Sequence, residues 1–215
     1  MLSRIIDVTP TKSLTIKQNL DYGYAGEVWD ASLVMGYFMI NSNSEKVISF
    51  KNKSFIELGA GTGILGLIAA VKNASKVVLT DKGDCIGMLK ENYETNKHIL
   101  NNETLIEVKE LDWMNGNDLH NIKDHFDYII GSDLVWRDEL IKPLHDVIEY
   151  LMNINNSENG NKTQTFLCFQ IRDTKMKTFC DSFDKSKYKI EKIPDSLYDE
   201  EYKADDIIIV RIKHI

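Results

Sequence analysis

The sequence predicts an α/β fold: a mostly parallel sheet with helices on both faces, a C-terminal antiparallel hairpin and a short N-terminal β-extension. Three observations carry that reading. From about residue 55 onward, apolar runs of strand length alternate with runs whose apolar residues recur at helical spacing, the rhythm of βαβ units. The first of these strands runs straight into glycines at 59, 61 and 63, which is how an α/β fold builds a ligand crevice at a strand end. The last two strands have no helix between them, so they pair as an antiparallel hairpin.

The elements follow in order. Ile5–Ile16 alternates loosely like a strand and ends near Gly23 and Gly26. Val28–Ile40 carries Leu33, Val34, Tyr37 and Phe38 at helical spacing, and Asn41–Lys46 is a polar loop. Strand Phe55–Leu58 leads to helix Ile64–Val71, and strand Val77–Thr80 to helix Asp84–Asn96. Leu105–Leu111 alternates apolar and charged residues, which suits an outer strand. Phe126–Gly131 is apolar on both faces, as a central parallel strand requires. Helix Asp138–Met152 gathers Ile141, Leu144, Val147, Ile148 and Leu151 on one side, and the Asn-rich stretch Asn153–Lys162 reads as a surface loop. Strand Thr165–Gln170, helix Thr174–Phe183 and strands Tyr188–Ile193 and Ile207–Ile212 complete the chain.

With 215 residues the chain is long enough for one domain with a core that needs neither disulfides nor metals; residues 1–27 read as an extension and 28–215 as the core. Its net charge of −7, from 26 basic and 33 acidic side chains, makes it a poor general binder of nucleic-acid phosphates. Cys85, Cys168 and Cys180 are scattered without a C-x-x-C pair, as expected of reduced thiols in the cytoplasm or nucleus. Met1 to Lys17 has no apolar leader and no segment has membrane-spanning length, so a soluble, cytoplasmic and monomeric protein is expected.

The glycine run reads Glu57-Leu58-Gly59-Ala60-Gly61-Thr62-Gly63. A dinucleotide fingerprint starting at Gly59 needs a third glycine where Ile64 stands, and no G-x-x-x-x-G-K-[ST] phosphate loop is present. Glu57 would repel a pyrophosphate but suits a cationic amino group, and the helix that follows offers free N–H groups at its start. Asp81 closes the second strand, where βαβ geometry lets a carboxylate accept both hydroxyls of a ribose. Asp112 and Trp113 end the third strand, an acid for an adenine amino group and an indole for its ring face. Ser132, Asp133 and Trp136 follow the central strand at the point where the topology switches. There Asp133 is placed either to meet an incoming amine or to cap a helix. His98, His120, His125, His145 and His214 show no metal-ligand spacing with the cysteines.

The glycine run resembles motif I of the seven-strand methyltransferases that use S-adenosylmethionine. Taken with Val28-Trp29-Asp30-Ala31-Ser32, Asp81, Leu111-Asp112-Trp113 and Ser132-Asp133-Leu134-Val135-Trp136, the chain resembles family 16 of protein methyltransferases from about Gly26 to its end. The likeness is closest to the lysine methyltransferases of chaperones and elongation factors. It implies a Rossmann-like seven-strand sheet, S-adenosylmethionine as cofactor and a catalytic core over 28–215. By that resemblance Trp29 covers the cofactor, while Glu57, Gly59, Ala60, Gly61, Gly63, Asp81, Asp112, Trp113 and Ser132 bind it. Asp133 and Trp136 take the place of a D-x-x-[YF] motif of the target-lysine pocket, and this chain departs from the family in carrying Trp at the aromatic position. The implied reaction is in-line transfer of a methyl group to a neutral lysine ε-amine, without a metal. A chaperone, an elongation factor or an AAA ATPase is the expected protein substrate, and neither nucleic acid nor membrane is expected as a partner. Two rival readings share the cofactor half: a small-molecule methyltransferase and a non-catalytic S-adenosylmethionine-binding scaffold. A nucleic-acid amino methyltransferase is disfavoured because no N-P-P-Y-like turn follows the fourth strand, and an NAD-dependent oxidoreductase by Ile64.

Overall fold

The structure, a computed structural model, describes residues 2–154 and 162–215. The N-terminal extension is a hairpin of β1 (Leu2–Thr9) and β2 (Lys12–Gln18), turning through Pro10 and Thr11. Its alternation places Ile6, Val8, Leu14 and Ile16 on one buried face.

The main sheet contains β3 (Ser54–Glu57), β4 (Lys76–Asp81), β5 (Leu105–Glu110), β6 (Tyr128–Ser132), β7 (Gln164–Gln170), β8 (Tyr188–Lys192) and β9 (Ile207–His214). Their spatial order is β5-β4-β3-β6-β7-β9-β8. The chain moves outward from β3 to β4 and β5, then returns to pair β6 against β3 with Glu57 opposite Ile130. The topological switch therefore lies between β3 and β6, where the strands' carboxyl ends leave a crevice. β5 is the edge strand that its alternation predicts, and β6 is the central one. The C-terminal strands form the expected antiparallel pair, and β9 also inserts between β7 and β8, with Cys168 opposite Ile209.

Among the described residues six α-helices accompany the sheet: α1 (Asp30–Ile40), α2 (Ile64–Val71), α3 (Ile86–Asn96), the single turn α4 (Gly116–Leu119), α5 (Ile141–Asn153) and α6 (Lys175–Asp181). On one face α1, α2 and α3 bury Phe38, Leu65, Ile68 and Leu89. On the other, α5 and α6 bury Leu144, Ile148, Leu151 and Phe179. Every residue of α2 is buried, which explains why that helix has no polar face in the sequence. Phe38, Phe55, Phe126, Phe166 and Phe179 are almost wholly enclosed, so truncating any one to alanine costs about 3–5 kcal/mol.

The boundaries differ from the sequence reading in an instructive way. Gly83–Cys85 and Asp138–Leu140 are 3-10 turns ahead of α3 and α5, where tighter bonding takes up donors that a helix start leaves unpaired. The polar loop after α1 likewise contains a 3-10 turn, Ser42–Lys46. β6 begins at Tyr128 rather than Phe126, and just ahead of it the Asp127 carboxylate accepts the Ser54 N–H at 2.9 Å and pairs with Lys53 at 2.7 Å. Most of the polar stretch between α5 and β7, residues 155–161, lies outside the described residues.

The hairpin is held by two buried asparagines that the sequence reading did not single out. Asn96 accepts from the Thr15 N–H at 2.7 Å and donates to the Thr15 carbonyl at 2.9 Å. Asn92 bonds both backbone groups of Lys17 and also donates to the Thr62 carbonyl at 3.0 Å. Side-chain amides thus take the place of a third strand on β2 and anchor the glycine loop from behind.

Candidate active site

The loop after β3 turns on glycines with left-handed backbone angles, φ 54° at Gly59 and 53° at Gly61. A Cβ at Gly59 would come within 2.8 Å of Leu134 and 3.1 Å of the Trp113 ring. At Gly61 it would sit 3.1 Å from the Ala25 carbonyl. Both positions therefore require glycine twice over, for backbone freedom and for close approach.

Glu57 has a task that its position in the sequence does not reveal. Its Oε2 accepts the Gly66 N–H at 2.7 Å, and the Leu65 N–H also bonds this carboxyl. The side chain is only 2 % exposed. It thus occupies N–H groups at the start of α2 that the sequence reading left open for a ligand. A carboxyl oxygen accepts in either protonation state, so Glu57 satisfies two donors that the start of a buried helix leaves without partners. Burial still pushes the Glu57 carboxyl up to about 8 against the opposing pull of those N–H groups.

Asp81 ends β4 beside this loop. One carboxylate oxygen accepts the Gly61 N–H at 2.8 Å and the other accepts the Lys82 N–H at 2.8 Å. Burial raises its pKa and the two N–H groups oppose the rise. The Cys85 side chain bonds this carboxylate as well, and the acceptor capacity that remains is directed to a ligand hydroxyl while the carboxylate holds the loop.

At the end of β5, Asp112 accepts the Met114 N–H at 2.9 Å and so turns the chain. That turn lays the Trp113 indole against Gly59, with its N–H buried and without a hydrogen-bond partner among the described residues. Across the site, Trp29 stands at the N-cap of α1, where the Ser32 hydroxyl donates to its carbonyl at 2.6 Å. Its indole N–H donates to the Tyr24 carbonyl at 2.8 Å. The Tyr24 ring lies 5.9 Å from Trp29 and 4.9 Å from Trp136, centre to centre. Tyr24 was missed in the sequence because Leu20–Gly26, a 3-10 segment, offers only a glycine-rich, unpatterned stretch.

The turn after β6 places Asp133 at φ 55°, an unusual angle for a non-glycine residue, with its N–H bonded to the Cys168 carbonyl at 2.8 Å. No helix begins at Asp133: the next turn starts after Arg137, so the helix-cap reading does not apply. Its carboxylate instead receives the Arg172 guanidinium, at 2.9 Å to one oxygen and 2.7 Å to the other. Arg172 also donates to the Gln170 side chain at 2.6 Å. It follows β7 in a run with no recognisable motif, and only the folded sheet brings it to Asp133. Asp133, Trp136, Phe169, Gln170, Arg172 and Met176 line one small pocket. Trp136 is 44 % exposed, and the Arg137 guanidinium lies 4.4 Å from its ring centre. Among the described residues, no group of three or more His, Cys, Asp or Glu is placed to hold a metal ion.

The residues expected to act together are therefore gathered at one edge of the sheet, and comparison with known proteins gives that edge a context. A profile of the lysine methyltransferase family matches residues 8–186. The chain belongs to that family. Lysine methyltransferases are also among its similar sequences. It is 31% identical to EEF1A lysine methyltransferase 3 of Xenopus tropicalis, over 74% of this chain and 63% of that protein. It is 33% identical to the protein N-lysine methyltransferase METTL21A of Mus musculus, over 63% of this chain and 58% of that protein. Each match spans less than two thirds of the relative's length. Among solved structures, the fold is similar to a ribosomal protein L11 methylase from Lactobacillus delbrueckii subsp. bulgaricus. That likeness has a TM-score of 0.57 and 17% identity, covering 85% of this chain and 79% of the other. SMU.776, in its complex with SAH, gives a TM-score of 0.53 at 15% identity over 87% of this chain and 50% of its own. These likenesses show the seven-strand methyltransferase fold in this family member.

Proposed function

We propose that this lysine methyltransferase family member transfers a methyl group from S-adenosylmethionine to the ε-amine of a lysine in a protein. One observation carries the proposal. Asp133 and Trp136 line one small pocket beyond the end of β6, while the glycine loop and Asp81 stand at the ends of β3 and β4 on the same side of the sheet. A crevice for the cofactor and a pocket for an amine thus lie on the same rim.

The residues fit the cofactor. The left-handed glycines keep the loop backbone free of side chains beside the Asp81 carboxylate, as close approach of a ligand to that backbone requires. Gly59, Ala60, Gly61 and Gly63 would follow the methionine part, and Asp81 would accept the ribose hydroxyls. Asp112, Trp113 and Ser132 would border the adenine, with Trp29 as a cover; Glu57 acts from beneath by fixing α2. S-adenosylmethionine, when bound, supplies the methyl group on a positively charged sulfur. The chain's own part is to orient the amine, exclude water and let a proton leave. Free lysine is protonated at neutral pH, with a pKa of about 10.4, so the pocket must favour the neutral amine. Trp136 offers an apolar wall and a π face, and Asp133 an acceptor for an amine hydrogen.

The relative named for EEF1A makes an elongation factor the first protein substrate to test, with a chaperone and an AAA ATPase next. We also place the protein in the cytoplasm as a monomer. Incubation with methyl-labelled S-adenosylmethionine and a cell lysate tests the function. Label in a protein supports the proposal; label only in small molecules, or none at all, refutes it.

A further inference from the structure

Resting on the lysine-transfer reading, we propose that Arg172 is a positioning and charge-balancing residue of the amine pocket, making neutral amine available by offsetting the charge of Asp133. The sequence motifs supply the acid and the aromatic of this pocket. The structure adds a guanidinium held against both oxygens of that acid, at 2.9 and 2.7 Å.

Arg172 is fixed from its other side as well. It donates to the Gln170 Oε1 at 2.6 Å, and Gln170 donates through its Nε2 to Asp206 at 2.8 Å. The chain Asp206–Gln170–Arg172–Asp133 runs along the ends of β9, β7 and β6. Asp133 itself sits on a left-handed backbone angle with its N–H bound to Cys168. Its carboxylate is therefore oriented by the backbone from one side and by Arg172 from the other. Nη1 meets both Asp133 oxygens while Nη2 holds Gln170, so one planar guanidinium spans two partners in a way that a lysine ammonium does not reproduce.

The electrostatic consequence has a definite sign. An unpaired carboxylate beside a lysine favours the ammonium form and raises the pH at which the amine can attack. A guanidinium on that carboxylate cancels most of the effect, so the lysine gives up its proton to solvent more readily. Other charged groups near the pocket have partners of their own. Asp173 is engaged by Lys175, and Arg137 by Glu139 at 3.2 Å. Asp138 stands at the first turn before α5 and Asp206 holds Gln170. The Cys168 thiol is buried, with its pKa raised, and stays neutral. Tyr24 meets Trp136 through its ring.

Two measurements on Arg172→Met and Arg172→Lys decide the proposal. In the first, turnover on a methylated protein is followed against pH. Arg172→Met should move the rising limb about one pH unit to the alkaline side, the size expected for one partly screened charge a few ångströms away. Arg172→Lys should restore the position of that limb but not the full rate. An unshifted limb overturns the proposal, whether or not the rate has fallen. The second measurement needs no turnover. It compares affinities for S-adenosylhomocysteine and for a cofactor analogue carrying a primary amine in place of the methyl sulfonium. In Arg172→Met the preference for the charged amine should rise by about tenfold while S-adenosylhomocysteine binds as in the parent protein. An unchanged ratio overturns the proposal even if the parent transfers no methyl group to any protein. Failure of transfer alone counts against the functional reading, so the two are separable.

Discussion

Gly61 donates its backbone N–H to the Asp81 carboxylate across 2.8 Å, tying the glycine loop of β3 to the end of β4. The residue proposed to accept the ribose hydroxyls is thus also the residue that fixes the loop beneath the cofactor. Asp81→Ala should weaken S-adenosylhomocysteine binding by about ten- to a hundredfold, since charge-assisted bonds are worth about 1.5–3 kcal/mol and water recovers part. Asp81→Asn keeps an acceptor for Gly61 and should lose less. Calorimetric titration of both variants checks the order; equal affinity to the parent would leave Asp81 with a structural role only.

Gly59 faces Leu134 and Trp113 at distances that leave no room for a methyl group. Gly59→Ala should lower stability by about 1–3 kcal/mol through its φ of 54° and these contacts, and should abolish cofactor binding. Thermal melting alongside titration separates the two effects.

Glu57 predicts a pH dependence of stability. Its carboxyl is raised to about 8 in the fold, against about 4.3 in an unfolded chain. The folded state therefore holds a proton that the unfolded state releases between those values. The associated stability is complete at low pH and is lost as pH rises through 8. Glu57→Gln should flatten this decline between pH 5 and 8, by a few kcal/mol at most. Melting temperatures of both proteins across that range, at fixed ionic strength, test the sign. An identical slope in the variant would contradict the burial argument.

Trp136 and Tyr24 form an exposed aromatic pair at the pocket. Trp136→Ala should open the pocket and lose at least tenfold in kcat/KM on the protein substrate, roughly the worth of one well-packed aromatic contact. Trp136→Tyr restores the aromatic residue usual in the family and should keep activity with altered choice of lysine. Steady-state kinetics on the identified substrate distinguish these outcomes.

The layout of the sheet was legible because burial on both faces writes itself into β6 and because glycine is obligatory at the β3 turn. The gathering of Asp81, Asp112, Trp113 and Asp133 on one rim followed from strand ends alone. Arg172 and Tyr24 were not legible: each reaches the site through a loop whose path depends on packing far along the chain. Glu57 was legible as an important acid but not in its task, since the direction of a carboxylate at a strand end is set by the helix that folds over it. The same holds for Asn92 and Asn96, whose value lies in backbone groups of a distant hairpin.

The claim that matters most is that Asp133 serves an amine acceptor and not the cofactor. The direct measurement is tandem mass spectrometry of the substrate protein after reaction with the parent protein and with Asp133→Ala, beside S-adenosylhomocysteine titration of both. The account predicts methyl groups on a lysine side chain with the parent. It predicts loss of about 10²–10³ in rate for the variant with cofactor affinity near that of the parent. Methylation of a residue other than lysine, or full activity in a folded Asp133→Ala, would contradict it.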